Sequence, residues 1–491
     1  MQQTIHQAAI GAAVTLWWDL PEEAQADSVY QVALSGKTVA ETRRTHCTLS
    51  EIHAPADCEV YLDGQRLGRT EVRPGPVYPR RNARDFGAAG DGATLDTAAL
   101  QRAIDACGPG EELWLPAGVY RTGALRLHSD MALYLEAGAV LQGTDNPEDY
   151  LPKIPSRFEG TEMECYQSVL NLGEMDHAAG PNCRNVLIHG EGEIRGGGQP
   201  LALAIIEAEK ERLRDELAAL GDRIREYEND HTIPGRARGR LINLCNCENV
   251  RITGLTLQDG ASWNVHMLYS RGIVTDHCVF RSEAVWNGDG WDPDSSEDCT
   301  LFASKFYTGD DSVAIKSGKN PEGNVINRPT KHIRVFDCYS HAGLGIAIGS
   351  EMSGGVEDVA IWHCDLEHSL SGIQIKGTKK RGGFVRGIRV SDCVISRFLV
   401  CAVKYNDDGE GSPVPPQFSD MRVTRTHLTG WAHNYWEKED RRIEAIDLAG
   451  FDEPGCAARD IHFEACTLGP EATVRLSHCE AVTLDLARTD A

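Results

Sequence analysis

From Asn249 onward, apolar and small residues recur in one pattern, at places 0, 2, 5 and 7 of each copy. It runs through Val250, Ile252, Leu255, Leu257; Ile273, Thr275, Cys278, Phe280; Cys299, Leu301, Ser304, Phe306; and Ile333, Val335, Cys338, Ser340. It continues in Val359, Ile361, Cys364, Leu366 and in Ile388, Val390, Cys393, Ile395, with weaker copies from Met421 and Ile461. Alternation with period two marks a strand with one buried face. Strands repeating every 23 to 40 residues cannot bury that face singly, so they must stack. Each copy is strand, turn, strand, with no helix to build a crossover sheet. The pattern therefore predicts an all-β protein, a right-handed parallel β-helix. Cys278, Cys338, Cys364, Cys393 and Cys466 share one place in the copy, which predicts a column of small apolar side chains in the core rather than disulfides. A reducing compartment fits that reading.

The rest of the chain follows other patterns. Residues 1–78 alternate in short runs (AVTLWWDL, SVYQVALSG, CEVYLDG) between Pro, Gly and Asp turns, which predicts a small β-sandwich, with Pro74–Arg81 as linker. A second unit, 79–491, opens on a glycine-rich turn and a helix expected from about Thr94 to Cys107, followed by short strands. Residues of about 203–230 predict a charged helical insertion with an apolar stripe of Leu213, Leu217, Leu220 and Ile224, laid against the body of the protein.

Composition narrows the class. The chain has 491 residues and a net charge of -24, which argues against a protein that tracks nucleic-acid phosphates. No apolar run approaches the roughly 18 residues of a membrane span. The N-terminal stretch lacks a basic segment leading into an apolar run, so a cytoplasmic protein is expected. Oligomeric state is not readable from the sequence.

The chemistry concentrates between Trp286 and Gly318, where Asp289 sits in an Asn-Gly-Asp-Gly turn and Asp310 and Asp311 follow Gly309. Glycoside cleavage needs one carboxylic acid to protonate the leaving oxygen and a carboxylate to activate water or attack carbon. Either motif alone reads equally well as a solvated turn. Asp289, Asp292 and Asp294 alternate as in a calcium loop, but Asp294 stands where that loop needs Gly and Thr300 where it needs Glu. No metal and no cofactor are expected, and Asp292 and Asp294 should matter much less to the chemistry than Asp310 and Asp311. Stacking makes equivalent places of successive coils neighbours, about 4.8 Å apart. Asp289, the Asp310–Asp311 pair, Leu344, Gln374, Lys376 and Tyr405 are thereby expected on one face.

NGDGWD, GDDSVAIKSG, GLGIAIGSEMSGG and IQIKGT ahead of RGGFVRGI together resemble glycoside hydrolase family 28, the polygalacturonase family, with its pectin lyase-like β-helix. FGAAGDGATLDTAALQRAIDAC resembles that group's N-terminal cap, and the sandwich resembles a fibronectin type III module ahead of exo-acting bacterial members. The resemblance spans about residues 82 to 470. It implies inverting, metal-independent hydrolysis of α-galacturonosyl bonds in a pectic oligosaccharide. In that reading Asp310 is the general acid, Asp289 and Asp311 activate water, and Lys376 contacts the galacturonate carboxylate with Tyr405 beside it. Asn287, Leu344, Gln374 and Lys316 complete the expected substrate shell.

Leu344 and Gln374 depart from the family, which has His and Arg there, and Asn287-Gly288-Asp289 replaces Asn-Thr-Asp. Losing the Arg removes a bidentate carboxylate partner. Either the bound sugar is a rhamnogalacturonan-type or substituted unit, or its carboxylate is held elsewhere. Lys316, Lys319, Lys379, Lys380, Arg381 and Lys404 read as a cationic set favouring an anionic substrate. A β-eliminating lyase would call for a strong base and usually calcium, and a binding module has no need of three converging aspartates. The sandwich, the insertion and the loop after Asn320 are candidates for closing one end of the groove, which predicts exo cleavage from the non-reducing end.

Overall fold

The computed structural model describes residues 2–227, 229–405 and 408–489. Two compact units divide at Pro79 and Arg80. In the first, a three-stranded and a four-stranded antiparallel sheet share a core built on Val14, Leu16, Trp18, Tyr30, Val32 and Val60. The strand Ala56–Leu62 shows why: Cys58, Val60 and Leu62 are buried in alternation with half-buried Glu59 and Tyr61.

The second unit is a parallel β-helix. Val250, Ile273, Cys299, Ile333, Val359, Ile388, Met421 and Ile461 are direct partners in one unbroken parallel register, all pointing into the core. The spacing 0, 2, 5, 7 has a specific cause. Unbroken alternation would bury places 4 and 6, but place 4 in each coil is left-handed: Gly254, His277, Ala303, Asp337, His363, Asp392, Arg425 and Ala465 all have positive φ. One left-handed residue bends the strand onto a second face and shifts the inward parity by one, which buries places 5 and 7. Place 5 carries the cysteine column, and all sixteen cysteines of the chain are free.

The coils start earlier than the repeat reading indicated, since Leu133 pairs with Ile188 and Ile188 with Ile252 in the same column. Each coil also has a third strand that the copy did not include. These strands form an eleven-stranded parallel sheet running through Ile242–Cys245, Val265–Leu268, Trp291–Asp294, Asp311–Ile315, Gly345–Ile348, Ile373–Gly377 and Phe398–Ala402. The opening helix is shorter than expected, Thr97–Asp105, because Asp91–Leu95 is taken up in pairing with Gly118–Thr122.

The insertion differs most from expectation. Its main helix is Gly198–Arg212, buried through Leu201, Ala202, Ile205 and Ile206, followed by a separate helix Arg214–Leu220 with no buried residue. Only Leu213 of the expected stripe is buried, while Leu217, Leu220 and Ile224 are half-exposed. The anchoring face thus lies N-terminal to the charged run that drew attention to it. Among the described residues no helix is long and apolar enough to cross a membrane.

Candidate active site

The third sheet positions the chemistry. Asp311 opens the strand Asp311–Ile315 and pairs with Gly345, while Leu344 N donates to Asp310 O at 3.0 Å. Gly290 N donates to Asp311 O at 3.0 Å, which brings the Asp289 turn against the Asp310–Asp311 pair. Gly343 is needed here: its φ is +92°, and a Cβ would stand 2.3 Å from Asp310 O. Asp289, Asp310, Asp311, Lys316, Lys376 and Tyr405 all line one cavity of about 220 Å³, together with Leu344 and Asn287.

Two buried lysines sit among the carboxylates. Lys376 Nζ is 3.0 Å from Asp311 Oδ2 and 5.9 Å from the Tyr405 ring centre. Lys316 Nζ lies 3.2 Å from Asp289, 3.8 Å from Asp292 and 4.0 Å from Glu351, over the face of Trp263. Burial disfavours the charge on Lys316, but Asp289 and Asp292 outweigh it and hold the ammonium above its ordinary range. An ammonium therefore occupies the place between Asp289 and Asp292 that a calcium reading would give to a metal. Among the described residues no cluster of His, Cys, Asp or Glu is arranged for a metal ion.

The aspartates are not equivalent. Burial, reinforced by Asp289 and Asp311, pushes Asp310 well above the carboxylate range. Burial and then Asp292 push Asp289 up as well, with Lys316 opposing. Asp289 and Asp311 each have a lysine in ion-pair contact, whereas among the described residues Asp310 has none. Asp289 Oδ1 and Asp311 Oδ1 have no protein hydrogen-bond partner there, which leaves them available to a water or a sugar hydroxyl. Asp294 is committed to Arg157 at 2.8 Å and His266 at 3.4 Å. Asp292, expected to matter less to the chemistry, touches the cluster through Lys316, and burial raises it to about 8.

Other expected ligands are placed differently. Gln374 is half-buried, donates to Cys401 Sγ at 3.4 Å and does not line the cavity. Asn287 accepts from Arg238 Nη2 at 2.6 Å. The expected cationic set is largely absorbed by the protein. Lys319 is buried against Asp408, Arg381 is buried on Asn320 Oδ1 and Ser350 O, and Lys379 pairs with Glu453. Carboxylates bunched by the fold consume these cations before any substrate arrives.

The hairpin Ile154–Phe158 with Thr161–Cys165 was missed by sequence reading. Two five-residue runs around Glu159-Gly160, both at positive φ, were its signal. It lies across the active face. Ser156 reaches Asn243 at 3.5 Å, Phe158 stacks on Trp263 at 4.7 Å, and Arg157 holds Asp294. The hairpin thereby contacts side chains of Ile242–Cys245, of Trp291–Asp294 and of the turn that leads into Val265–Leu268. Glu159, Glu351, Trp263 and Trp286 also line the cavity and were not singled out from the sequence.

Comparison with known proteins gives a consistent answer. The Glycosyl hydrolases family 28 profile matches residues 162–424, and a profile described as Rhamnogalacturonase A/epimerase, pectate lyase-like, matches residues 80–140. The chain is 28% identical over 378 residues to an exo-poly-alpha-D-galacturonosidase of Dickeya chrysanthemi, covering 70% of this chain and 61% of that protein. It is 33% identical over 322 residues to a probable polygalacturonase of Vitis vinifera, covering 62% and 58%. It thus spans about three fifths of the length of these two relatives. The fold superposes on the family 28 exopolygalacturonase of Yersinia enterocolitica with a TM-score of 0.78 and 22% identity over 99% of each chain. For the hyperthermoactive exopolygalacturonase of Thermotoga maritima the TM-score is 0.66 at 24% identity, over 85% of this chain and 93% of that one. With its profile match covering more than half of the sequence and the β-helix shared with these structures, the chain belongs to glycosyl hydrolase family 28.

Proposed function

We propose that this protein is an inverting hydrolase of α-galacturonosyl linkages that releases units from the non-reducing end of pectic oligosaccharides. The observation that carries the reading is the convergence of Asp289, Asp310 and Asp311 on one small cavity beside two lysines. Asp310, raised by burial and without a cation in contact, gives its proton to the glycosidic oxygen as the bond to C1 breaks. Asp289 and Asp311 orient a water, and Asp311, held by Lys376, takes its proton as the water oxygen bonds to C1 from the opposite face. The free sugar is released with inverted configuration and Asp310 is reprotonated from solvent. Lys376 and Tyr405 face the sugar.

The exo mode rests on the hairpin across the active face, at one end of the groove next to the catalytic strand, and agrees with the similarity to the exo-poly-alpha-D-galacturonosidase of Dickeya chrysanthemi. Leu344 at the cavity wall, with Gln374 turned to Cys401, favours a second reading. In it the bound unit is substituted or belongs to a rhamnogalacturonan-type chain, since the bidentate carboxylate partner is missing. Incubating the enzyme with defined pectic oligosaccharides, and following products by chromatography and anomeric proton NMR, tests both. The inverted monomer should accumulate from the first time point. A spread of intermediate oligomers would defeat the exo mode, and a covalent glycosyl-enzyme trapped on any aspartate would defeat inversion.

A further inference from the structure

The groove has two walls. Segments leading into the third-sheet strands make one, including the insertion that precedes Ile242–Cys245, and segments leaving those strands make the other, including the one that follows Phe398–Ala402. Arg236 belongs to the first wall and Asp408 to the second. Their strands are six rungs apart in the sheet, about 29 Å at ~4.8 Å per rung. Nonetheless Arg236 Nη1 and Nη2 meet the two Asp408 oxygens at 3.1 Å each, in a bidentate pair. The same guanidinium donates through Nε to Glu159 Oε2 at 2.8 Å, and Glu159 lines the catalytic cavity.

Further contacts fix this bridge. Lys319 pairs with Asp408 and donates its backbone N–H to Gly160 O at 2.8 Å, at the tip of the hairpin. Asn320 Nδ2 donates to the carbonyls of Asp408 and Glu410 at 3.4 and 3.0 Å. A Cβ on Gly160 would stand 2.5 Å from that of Lys319, so the approach requires glycine there. Arg236, Lys319, Asp408 and Glu159 form two cations against two anions, with side-chain exposures of 13%, 2%, 17% and 9%. Charge is balanced within the bridge, so its closure needs no anionic ligand. Desolvated bidentate pairs of this kind hold a geometry that exposed ones do not.

We propose that Arg236, with Asp408 and Lys319, is a clasp that determines chain-end specificity. It ties the two walls together over the hairpin end of the groove and holds Glu159 in the cavity, so that only a terminal unit reaches Asp310. The inference rests on the exo reading above. These are specificity-determining residues with no part in proton transfer.

The test uses full-length Arg236→Met and Asp408→Asn, on saturated galacturonide oligomers of two to six units and on long-chain polygalacturonate. The first few per cent of conversion and the viscosity of the polymer are read. Wild type should release monomer with little loss of viscosity. Each single variant should raise the share of dimer and trimer about tenfold and speed the fall in viscosity, with kcat on the dimer within about threefold of wild type. Folded single variants that still release monomer alone overturn the clasp and leave the exo reading standing. A wild-type enzyme that yields a ladder of oligomers overturns both. Asp408→Asn keeps the shape and loses only the charge, so it gives the same arms if Arg236→Met does not fold.

Discussion

Lys316 is the residue around which the site's charges are arranged. Its ammonium touches Asp289, Asp292 and Glu351. Burial works against the charge on Glu351, yet Lys316 and Arg381 hold it below the ordinary glutamate range. Asp292 receives less, because Glu351 has Arg381 at 3.9 Å besides Lys316 and a hydrogen bond from Ser350 Oγ, whereas both Asp292 oxygens are without hydrogen bonds. Burial therefore keeps it protonated up to about pH 8. The sign follows from linkage: between about 4 and 8 the folded state binds a proton that the unfolded chain has lost, so this group's contribution to stability falls as pH rises. Asp292→Asn should remove that loss, raising Tm relative to wild type at pH 8 and little at pH 4; a Tm difference independent of pH would contradict this. Asp310→Asn and Asp311→Asn should each lower kcat by at least about a hundredfold with unchanged far-ultraviolet circular dichroism, since a positioned proton-transfer group contributes about 10² to 10⁴. Steady-state kinetics on a galacturonide dimer decides, and more than a tenth of wild-type activity in Asp310→Asn would reassign the acid.

Among the elements, the hairpin Ile154–Cys165 does the most to shape the groove. It is docked by a buried ion pair as well as by the apolar contact of Phe158 and Cys165 with Trp263. Arg157 and Asp294 are both fully buried at 2.8 Å, with Arg157 also bonded to Ser295 and Tyr269. Arg157 and His266 together overcome the burial of Asp294 and hold it down to about 2. Replacing Arg157 by Met should therefore cost about 3–5 kcal/mol, because it leaves a buried carboxylate unpaired. Urea titration of the β-helix unit measures it. A loss under 1 kcal/mol would mean that Asp294 finds another partner.

Across the whole β-helix, stability is a sum over stacked coils in which each contacts only its neighbours. The column at place 0 runs unbroken through that core, and the column at place 2 is interrupted at Thr275. Ile361 stands in one, 1% exposed, between Val335 and Val390. Ile361→Ala should destabilise by about 2–5 kcal/mol, since a middle coil clamped on both sides cannot collapse onto the cavity. A shift in the denaturant midpoint at constant slope would show this, and a cost below 1 kcal/mol would mean that the coils can slide to refill the space.

Legibility at each scale has a physical cause. The places 0, 2, 5 and 7 are local consequences of a strand, one left-handed residue and a second strand, so the sequence by itself determined the β-helix and the phase of the cysteine column. Asp289, Asp310 and Asp311 were legible as a set because stacking places them by counting coils. The third strand escaped because its segments, such as DSVAI and GIAI, are too short to show alternation and are buried almost throughout. The fates of charged side chains escaped for a different reason. Whether Lys316, Lys319 and Arg381 meet substrate or a carboxylate of the chain depends on which distant loops the coils bring together. Only the tertiary structure decided that, because Arg236 and Asp408 are 172 residues apart in sequence and meet through the arch of two loops, for which no local pattern exists.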